Sequence, residues 1–245
     1  MDKPFADCRA IVTGGTRGIG RAVSEMLLRG GAGVTAVYGG NDEAAAAFAR
    51  DWADYPLKTV KLDVADYNAC EAFFTEFDGD CDHLEILVNA AGIRRDAVVG
   101  MMSVEDWRRV IDINLSGSFN MTKFAVQRMM QNRYGRIVCV TSPSGRLGFA
   151  GQANYAASKA GQVALMSSLA KEVGRRGITA NCVSPGFIET DLIADLSDEQ
   201  KSDYRKQVPL KRFGRPEEVA DAVRYLVSRE AAYVTGTVVE ISGGL

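Results

Sequence analysis

Seven short runs of apolar, largely β-branched residues alternate along this chain with stretches that carry helical periodicity. Each run is apolar throughout instead of alternating with polar residues, which is typical of parallel strands covered on both faces by helices. The alternation predicts β-α-β units, and therefore a doubly wound α/β sheet of about seven mostly parallel strands with helices on both faces. The predicted strands are residues 10–13, 34–38, 59–62, 86–89, 136–141, 179–183 and 237–241.

The chain length favours one domain spanning residues 1–245. With 47% hydrophobic residues the chain can bury a large core, and no Pro/Gly-rich linker divides it. The predicted helices are residues 21–30, 42–55, 70–77, 104–132, 155–176 and 216–228.

Segment 188–213 breaks the alternation of strands and helices, because it is charged and helix-prone without a strand after it. We expect this segment to form a substrate lid; the alternative is a solvated helical excursion.

Charge and cysteine content exclude several classes of function. The formal net charge is −2, which gives no electrostatic reason to expect a nucleic-acid partner. The five cysteines form no C-x-x-C pair and do not cluster with the single histidine, His83, so neither a disulfide framework nor a metal site is predicted. A basic-then-apolar leader and an 18-residue apolar run are both absent from the sequence. We therefore expect a soluble protein of the reducing cytoplasm that does not insert into membranes.

A glycine-rich segment follows the first predicted strand directly and leads into the first predicted helix. Its sequence is Thr13-Gly14-Gly15-Thr16-Arg17-Gly18-Ile19-Gly20. A turn of this kind lets backbone N–H groups approach a pyrophosphate at the positive end of the helix dipole. Gly14 permits the turn, while Gly18 and Gly20 permit close approach of ligand and helix. The strand-turn-helix context favours a nucleotide site over a plain turn.

The spacing T-G-x-x-x-G-x-G resembles that of the short-chain dehydrogenases/reductases, and the resemblance extends along the chain. Its further motifs are Asp63 in Leu-Asp-Val, 89–92 (Asn-Ala-Ala-Gly), Asn114 in Ile-Asn-Leu, Ser142, Tyr155-x-x-x-Lys159 and Pro185-Gly186. The resemblance implies a Rossmann-type fold and an oxidoreductase that uses a nicotinamide dinucleotide. It implies cofactor contacts from Gly14, Thr16, Arg17, Gly18, Ile19, Gly20, Tyr38, Asp63, Val64, Asn89, Gly92, Tyr155, Lys159, Pro185, Gly186, Ile188 and Thr190.

The end of the second predicted strand favours NADP(H) over NAD(H). An acidic residue at this point would bond the ribose 2′-hydroxyl and repel a 2′-phosphate. Here the strand ends at Tyr38, and Asp42 and Glu43 have the position of first-turn residues of the next helix. Arg17, in the glycine-rich turn, supplies a cation for a 2′-phosphate, although an arginine there can also be ordinary surface charge.

Tyr155 and Lys159 lie four residues apart at the start of a predicted helix, so their side chains share one face. A tyrosine hydroxyl alone is a poor proton-transfer group, and a nearby lysine ammonium favours its deprotonated form. Ser142 follows the fifth predicted strand, at the edge where open α/β sheets bind ligands. By the resemblance, Ser142 hydrogen-bonds a substrate carbonyl, Tyr155 protonates it, and Lys159 holds the nicotinamide ribose. Asn114 would support a water-mediated proton relay to Lys159.

Two stretches, residues 151–161 and 184–191, resemble the 3-oxoacyl-(acyl-carrier-protein) reductases of fatty acid synthesis. The resemblance implies NADPH-dependent reduction of a 3-oxoacyl thioester to the 3-hydroxyacyl thioester. It also implies that Arg133 and Arg176 contact the acidic carrier protein near the pocket mouth; both are alternatively helix C-terminal cations. Ala90, Arg94 and Pro143 depart from the family pattern. They leave the Ser-Tyr-Lys set intact and bear on substrate identity.

Other functions remain open at this point. Within the same class, the chain is alternatively an acetoacetyl-CoA reductase or a reductase of another ketone, sugar or polyketide. A different class is a dinucleotide-sensing protein without turnover, which the complete Ser-Tyr-Lys set disfavours. The resemblance implies a homotetramer built on residues 104–132 and 155–176. Side chains that could pack there, or in the core of one chain, are Met121, Phe124, Met129, Met130 and Met166.

Overall fold

The computed structural model describes residues 3–80, 83–190 and 197–245, and its centre is a seven-stranded sheet. The strands are β1 (Arg9–Thr13), β2 (Gly33–Tyr38), β3 (Leu57–Lys61), β4 (Ile86–Asn89), β5 (Gly135–Val140), β6 (Ile178–Pro185) and β7 (Val238–Ile241). All seven predicted strands are present. Within the described residues every pairing between neighbouring strands is parallel. The predicted doubly wound fold is confirmed.

The strand order is β3-β2-β1-β4-β5-β6-β7, so the direction in which strands are added reverses between β1 and β4. Open α/β sheets bind ligands at the carboxyl ends of the strands beside such a reversal. The glycine-rich turn follows β1 and the 89–92 turn follows β4, which places both motifs at this point.

Helices cover both faces of the sheet. They are α1 (Gly18–Arg29), α2 (Asp42–Asp51), α3 (Tyr67–Asp80), α4 (Val104–Ile111), α5 (Gly117–Asn132), α6 (Ser144–Leu147), α7 (Ala153–Val173), α8 (Asp198–Gln207) and α9 (Pro216–Val227). The predicted helix 104–132 is interrupted by one π-helical turn, Asp112–Ser116, between α4 and α5. Helix α6 was not predicted, because four residues are too few to show periodicity.

Two apolar clusters, one on each face, hold the layers together. Helices α1 and α9 pack on one face through residues such as Leu27 and Val223, and α3, α5 and α7 pack on the other. Met121, Phe124, Met129 and Met166 are buried in this second cluster. Of the five side chains considered for self-association, only Met130 is exposed. The other four therefore belong to the core of the single chain. No helix within the described ranges is long and apolar enough to cross a membrane.

Candidate active site

The glycine-rich turn joins β1 to α1 at the carboxyl edge of the sheet. Gly14 and Gly18 have φ angles of 65° and 50°, in the left-handed region that side chains disfavour. A Cβ on Gly20 would lie 2.2 Å from the Gly14 carbonyl oxygen, so glycine is required for this approach of turn and helix. The first turn of α1 contains no acidic residue, and its N-cap, Arg17, offers no side-chain acceptor to the helix amides. The helix N-terminus therefore suits a bound anion.

The turn after β4 packs directly against the glycine-rich turn. The Thr13 hydroxyl accepts hydrogen bonds from the amides of Ala90 and Ala91, both at 3.1 Å. A Cβ on Gly14 would lie 3.0 Å from the Ala90 carbonyl oxygen. Asn89 is buried and donates to the Thr122 hydroxyl at 2.9 Å. Ala90, a departure from the family pattern, is accommodated at the margin of the apolar cluster under α1.

The loop after β6 lies over the same turn. The Gly186 amide donates to the Ile241 carbonyl at 3.0 Å, and Ile188 is buried. A Cβ on Gly18 would lie 3.4 Å from Cγ2 of Thr190. Three segments that are distant in sequence therefore border one groove. Residues 191–196 of the predicted lid lie outside the described residues.

The end of β2 has open space beside it. No atom of the described residues lies within 4 Å of the Cβ position of Gly39 or Gly40. Asp42 lies in the first turn of α2, as predicted, where its carboxylate accepts a hydrogen bond from Lys61 at 2.8 Å. This hydrogen bond lowers the pKa of the Asp42 carboxyl. The carboxylate nearest to the end of β2 in sequence is therefore already bound to a cation.

Asp63 and Val64 follow β3 at the same edge. The Asp63 carboxylate accepts from Nη2 of Arg109 and from the Ala65 amide, both at 3.0 Å. The Val64 side chain is buried, and its carbonyl accepts from Nδ2 of Asn120 at 2.9 Å. Together with the open end of β2, these segments extend the groove across β1, β2 and β3. This groove fits an extended dinucleotide with a central pyrophosphate. The glycines leave the backbone open to close approach, and the helix N-terminus carries no acidic side chain that would repel phosphate.

Ser142, Tyr155 and Lys159 come together beside this groove. Ser142 follows the carboxyl end of β5, and Tyr155 and Lys159 lie on successive turns at the start of α7. Lys159 is buried, and its ammonium donates to the Val140 carbonyl at 2.8 Å. The Lys159 nitrogen lies 5.5 Å from the centre of the Tyr155 ring. Tyr155 and Lys159 are therefore neighbours beside the carboxyl end of the strand that Ser142 follows.

A chain of polar contacts that sequence analysis did not predict leads away from Ser142. The Ser142 hydroxyl accepts from the Ser144 amide and donates to the Ser144 hydroxyl, both at 3.2 Å. The Ser144 hydroxyl donates to Gln152 at 3.3 Å, and the Gln152 amide donates to Asp96 at 3.2 Å. Pro143 starts helix α6 with φ −55° and ψ −24°. The proline thus places Ser144, whose side chain holds the Ser142 hydroxyl.

Arg94, another departure from the family pattern, lies at the Tyr155 side of the space. Its guanidinium is 6.0 Å from the centre of the Tyr155 ring and forms a salt bridge with Asp96. The hydrogen bond with Asp96 raises the pKa of the Arg94 guanidinium. Because Asp96 balances this charge, Arg94 contributes an ion pair to the pocket rim.

Asn114 occupies the π-helical turn between α4 and α5, where it is fully buried. Its Oδ1 accepts from the Ile93 amide at 2.8 Å, and its Nδ2 donates to the Ile93 carbonyl at 3.0 Å and to the Ser158 hydroxyl at 3.1 Å. These contacts join the 89–92 turn to α7. Asn114 therefore fixes the position of the segment around Gly92 relative to the helix that carries Tyr155 and Lys159.

Arg133 and Arg176 lie far from this space. Arg133 precedes β5, whereas Ser142 follows it, and six residues of strand separate the two sheet edges by about 20 Å. Arg176 lies three residues beyond the end of α7, and that end is about 27 Å along the helix from Tyr155. The Arg133 guanidinium donates to the Arg175 carbonyl at 3.4 Å, so the two arginines are neighbours. The expectation that they lie near the pocket mouth is therefore wrong for a single chain.

Comparisons with known proteins agree with this geometry. Residues 14–245 match the family model described as enoyl-(acyl carrier protein) reductase. The chain is 43% identical to the 3-oxoacyl-(acyl-carrier-protein) reductase of Aquifex aeolicus over 239 residues, and 43% identical to that of Escherichia coli over 236 residues; each alignment covers 96% of both chains.

A solved structure with a similar fold is that of a putative gluconate dehydrogenase from Agrobacterium tumefaciens. It has a TM-score of 0.95 and 30% identity, and the alignment covers 100% of this chain and 98% of that one. The family resemblance seen in the motifs is confirmed by a match over almost the whole length. The chain belongs to the short-chain dehydrogenase/reductase family, whose oxidoreductases use a nicotinamide dinucleotide.

Proposed function

We propose that the protein uses NADPH to reduce a 3-oxoacyl thioester, carried on acyl carrier protein, to the 3-hydroxyacyl thioester in fatty acid biosynthesis. The observation that carries the proposal is the convergence of Ser142, Tyr155 and Lys159 beside the dinucleotide groove. The chain shares 40–43% sequence identity with 3-oxoacyl-(acyl-carrier-protein) reductases, which supports a 3-oxoacyl thioester as the substrate. The complete Ser-Tyr-Lys set favours turnover over a sensing role.

The chemistry follows from the residues that border the space. A bound nicotinamide supplies the hydride, which goes to the carbonyl carbon of the substrate. Tyr155 donates a proton to the carbonyl oxygen, and the Ser142 hydroxyl hydrogen-bonds the same oxygen as negative charge develops there. The buried ammonium of Lys159 favours transfer of the Tyr155 proton, since its positive charge stabilises the tyrosinate. Hydride and proton together give the alcohol.

The preference for NADPH is supported by the end of β2. Gly39 and Gly40 leave room for a 2′-phosphate, and the Asp42 carboxylate is held by Lys61. Arg17, exposed in the glycine-rich turn, provides positive charge on the α1 side of the groove. Space and positive charge without a free carboxylate favour the phosphorylated cofactor.

We propose that segment 188–213 acts as a substrate lid. Within its described part, Tyr204 of α8 packs on Phe187, with ring centres 4.5 Å apart, and Phe213 contacts the same ring at 6.2 Å. Phe187 directly follows Gly186 at the groove. Aromatic contacts with Phe187 therefore join the segment to the edge where substrate would enter, which is the position expected of a lid.

The family model's description gives a second candidate reaction, reduction of an enoyl thioester. In that reaction hydride adds to a carbon-carbon double bond instead of a carbonyl group. The Ser142 and Tyr155 hydroxyls favour the carbonyl reaction, because both can supply hydrogen bonds where negative charge would develop on a carbonyl oxygen. Acetoacetyl-CoA and sugar ketones remain alternative carbonyl substrates.

We further propose that the protein assembles as a homotetramer. The segment leading into α4 exposes several large apolar side chains to solvent in the single chain: Val98, Val99, Met101, Val104 and Trp107. Exposed large apolar side chains that are this close together in sequence favour an association site. Light scattering after gel filtration gives the mass of the assembly.

The free thiols of Cys8, Cys70, Cys139 and Cys182 support a reducing compartment such as the cytoplasm.

The proposed function is tested by following NADPH absorbance with purified protein and matched acetoacetyl and crotonyl thioesters, each on carrier protein and on CoA. We expect rapid oxidation with the acetoacetyl compounds and preference for the carrier. Turnover of only the crotonyl compounds would establish the enoyl reaction instead. Equal turnover of the acetoacetyl thioester on CoA and on carrier protein would contradict the proposed preference for acyl carrier protein.

A further inference from the structure

Asp96 lies at one end of the chain of polar contacts that reaches Ser142. The Arg94 guanidinium donates to both oxygens of its carboxylate, from Nε to Oδ1 at 3.3 Å and from Nη2 to Oδ2. A carboxylate that is paired in this way with a guanidinium only accepts hydrogen bonds. Any other polar group that contacts Asp96 must therefore donate to it.

This fixed acceptor determines which way the Gln152 amide faces. Nε2 of Gln152 donates to Oδ2 of Asp96 at 3.2 Å, so Oε1 lies on the side of Ser144. The reverse orientation would bring an amide oxygen against the carboxylate, with no proton between the two acceptors. Gln152 is also the N-cap residue of α7, but its side chain makes no capping hydrogen bond to that helix, all of which the structure describes. The side chain contacts Asp96 and Ser144 instead.

The orientation of Gln152 in turn fixes the proton of the Ser144 hydroxyl. Oε1 carries no proton, so Ser144 must donate its single hydroxyl proton to it, at 3.3 Å. The Ser144 oxygen then has only lone pairs left for the Ser142 hydroxyl, which is 3.2 Å away. Ser144 is buried, so solvent does not replace these partners. In the enzyme without substrate, the Ser142 proton therefore points toward Ser144.

The position of the Ser142 oxygen depends on a different group. Its Oγ accepts from the main-chain amide of Ser144 at 3.2 Å, a contact that does not involve the Ser144 side chain. Helix α6 is itself fixed against α7, because a Cβ on Gly145 would lie 2.7 Å from the amide nitrogen of Ala160. The main chain thus holds the Ser142 oxygen in place, and the Ser144 hydroxyl determines only where the Ser142 proton points.

A ketone substrate needs the same proton. Its carbonyl oxygen has lone pairs but no proton, so it competes with the Ser144 oxygen for the Ser142 hydroxyl. Both acceptors are neutral, so exchanging one for the other gains little free energy when the ketone binds. During hydride transfer negative charge develops on the carbonyl oxygen, and a hydrogen bond to a charged acceptor is roughly twice as strong. The net gain from the Ser142 hydrogen bond is therefore confined to the transition state.

We propose that Ser144 is a positioning residue that holds the Ser142 proton away from the substrate oxygen until negative charge develops there, and that Asp96 and Gln152 set this direction. The inference rests on the proposed carbonyl reduction. On the way to the transition state the Ser142 hydroxyl gives up one neutral hydrogen bond, to Ser144 in the wild type or to the neutral ketone if Ser144 is removed. The Ser144 hydroxyl therefore raises KM for the ketone and leaves kcat unchanged.

The first test removes the competing acceptor. In Ser144→Ala the main-chain amide still holds the Ser142 oxygen, while the Ser142 proton is free for the ketone. We expect KM for the ketone to fall about threefold or more, which is the range for one neutral hydrogen bond, and kcat to stay within twofold. A lower kcat with an unchanged or higher KM would overturn the proposal, because it would mean that the Ser144 hydroxyl keeps Ser142 in its active position.

A matched control for this substitution lies at the opposite edge of the sheet. The Ser228 hydroxyl donates to the Tyr225 carbonyl at the end of α9, at 2.7 Å. Ser228→Ala removes one serine hydroxyl and its hydrogen bond away from the active site, and should leave both KM and kcat at their wild-type values.

The second test reaches the same contact from its other end. Gln152→Ala removes the acceptor of the Ser144 proton, which can then turn to the Ser142 oxygen and release the Ser142 proton for the ketone. We expect the same fall in KM as in Ser144→Ala. The double variant should show no further fall, because both substitutions act through one chain of hydrogen bonds. Additive changes in KM would contradict the proposal.

A binding measurement gives a readout that does not depend on turnover. NADP⁺ has no hydride to transfer, so calorimetry with NADP⁺ and acetoacetyl-CoA measures the dissociation constant of the ketone in a complex that does not react. Ser144→Ala should bind the ketone about threefold more tightly than the wild type. Unchanged or weaker binding would refute the role of Ser144.

Failure of the proposed function would give a different result. If the wild type reduces other ketones but no 3-oxoacyl thioester, the proposed substrate is wrong. The comparison of Ser144→Ala with the wild type is then made with the ketone that is reduced, and the same fall in KM is expected.

Discussion

The Lys159 ammonium lies 5.5 Å from the centre of the Tyr155 ring, one helical turn further along α7. Lys159 is buried and anchored to the Val140 carbonyl, which belongs to the last residue of β5. A helix and a strand thus fix the cation jointly, and its position relative to the tyrosine does not depend on a loop.

Replacing the proton donor separates chemistry from cofactor binding. In Tyr155→Phe the ring remains, so packing and the groove are preserved, but the transferable proton is lost. We expect kcat to fall at least about 100-fold, in the range for loss of a general acid. Fluorescence titration with NADPH should give a dissociation constant close to the wild-type value. Near-normal kcat would remove Tyr155 from the mechanism.

A carboxylate introduced at the end of β2 should reverse the cofactor preference. Gly39→Asp is sterically permitted, since no atom in the described part of the chain lies within 4 Å of the Cβ position and the backbone is not left-handed. The new charge repels a 2′-phosphate and can bond a ribose hydroxyl. We expect kcat/KM for NADPH to fall about tenfold or more while the value for NADH is maintained or rises. Gly39→Asn is the uncharged control, and an equal loss with it would point to a steric effect.

The carboxylate of Glu218 ties the end of the lid segment to α9. It accepts from both Nη atoms of Arg212, at 2.8 and 2.6 Å, and from the Arg215 amide at 2.7 Å. The hydrogen bonds from Arg212, followed by that from Arg215, lower the pKa of Glu218 to about 2. Because the folded-state pKa is depressed, the contribution to stability is present above about pH 4.5 and is lost as pH falls toward 2.

Glu218→Gln should therefore be less stable than the wild type at pH 7, with a Tm about 2 °C lower, a small effect because the pair is solvent-exposed. The difference should narrow as the pH is lowered from 5 to 3. Thermal unfolding followed by circular dichroism across this range measures it. A difference that stays constant with pH would assign the effect to capping geometry instead of charge.

Arg133 and Arg176 retain a testable role as carrier contacts even though they lie at the amino edge of the sheet. If a carrier binds there, Arg133→Glu and Arg176→Glu should raise KM for a carrier-bound substrate severalfold and leave kcat/KM for the CoA ester unchanged. An unchanged KM would show that the carrier binds elsewhere. The distance to Tyr155 means that a carrier on these residues would serve an active site of another subunit more readily than that of its own chain.

The order of strands and helices could be predicted because each strand is a continuous apolar run and each long helix has a clear period. The turns after β1 and β4 could also be predicted, because each is marked by its glycine spacing and by its position directly after a strand. Helix α6 and the contacts of Ser144 with Ser142 could not be predicted, because they depend on how Pro143 orients one short turn.

The error in placing Arg133 and Arg176 had a signal in the sequence. Arg133 precedes the fifth strand and Ser142 follows it, and parallel strands place those ends at opposite edges. Gln152 gave no such signal. A glutamine is usually exposed, and only tertiary packing shows that its amide lies between Asp96 and Ser144.

The pairing of β1 with β4 also governs when this protein can fold. The Thr13 hydroxyl accepts hydrogen bonds from a turn 77 residues further along the chain, and crossover helices connect the parallel strands in between. Loop-closure entropy must be overcome before such distant contacts form, which makes folding slow compared with that of helical bundles. During synthesis the glycine-rich turn emerges from the ribosome long before the turn after β4. A nascent chain at that stage has only one side of the cofactor groove, and its strand edges are unpaired. Low expression temperature or excess dinucleotide should accordingly raise the yield of native protein.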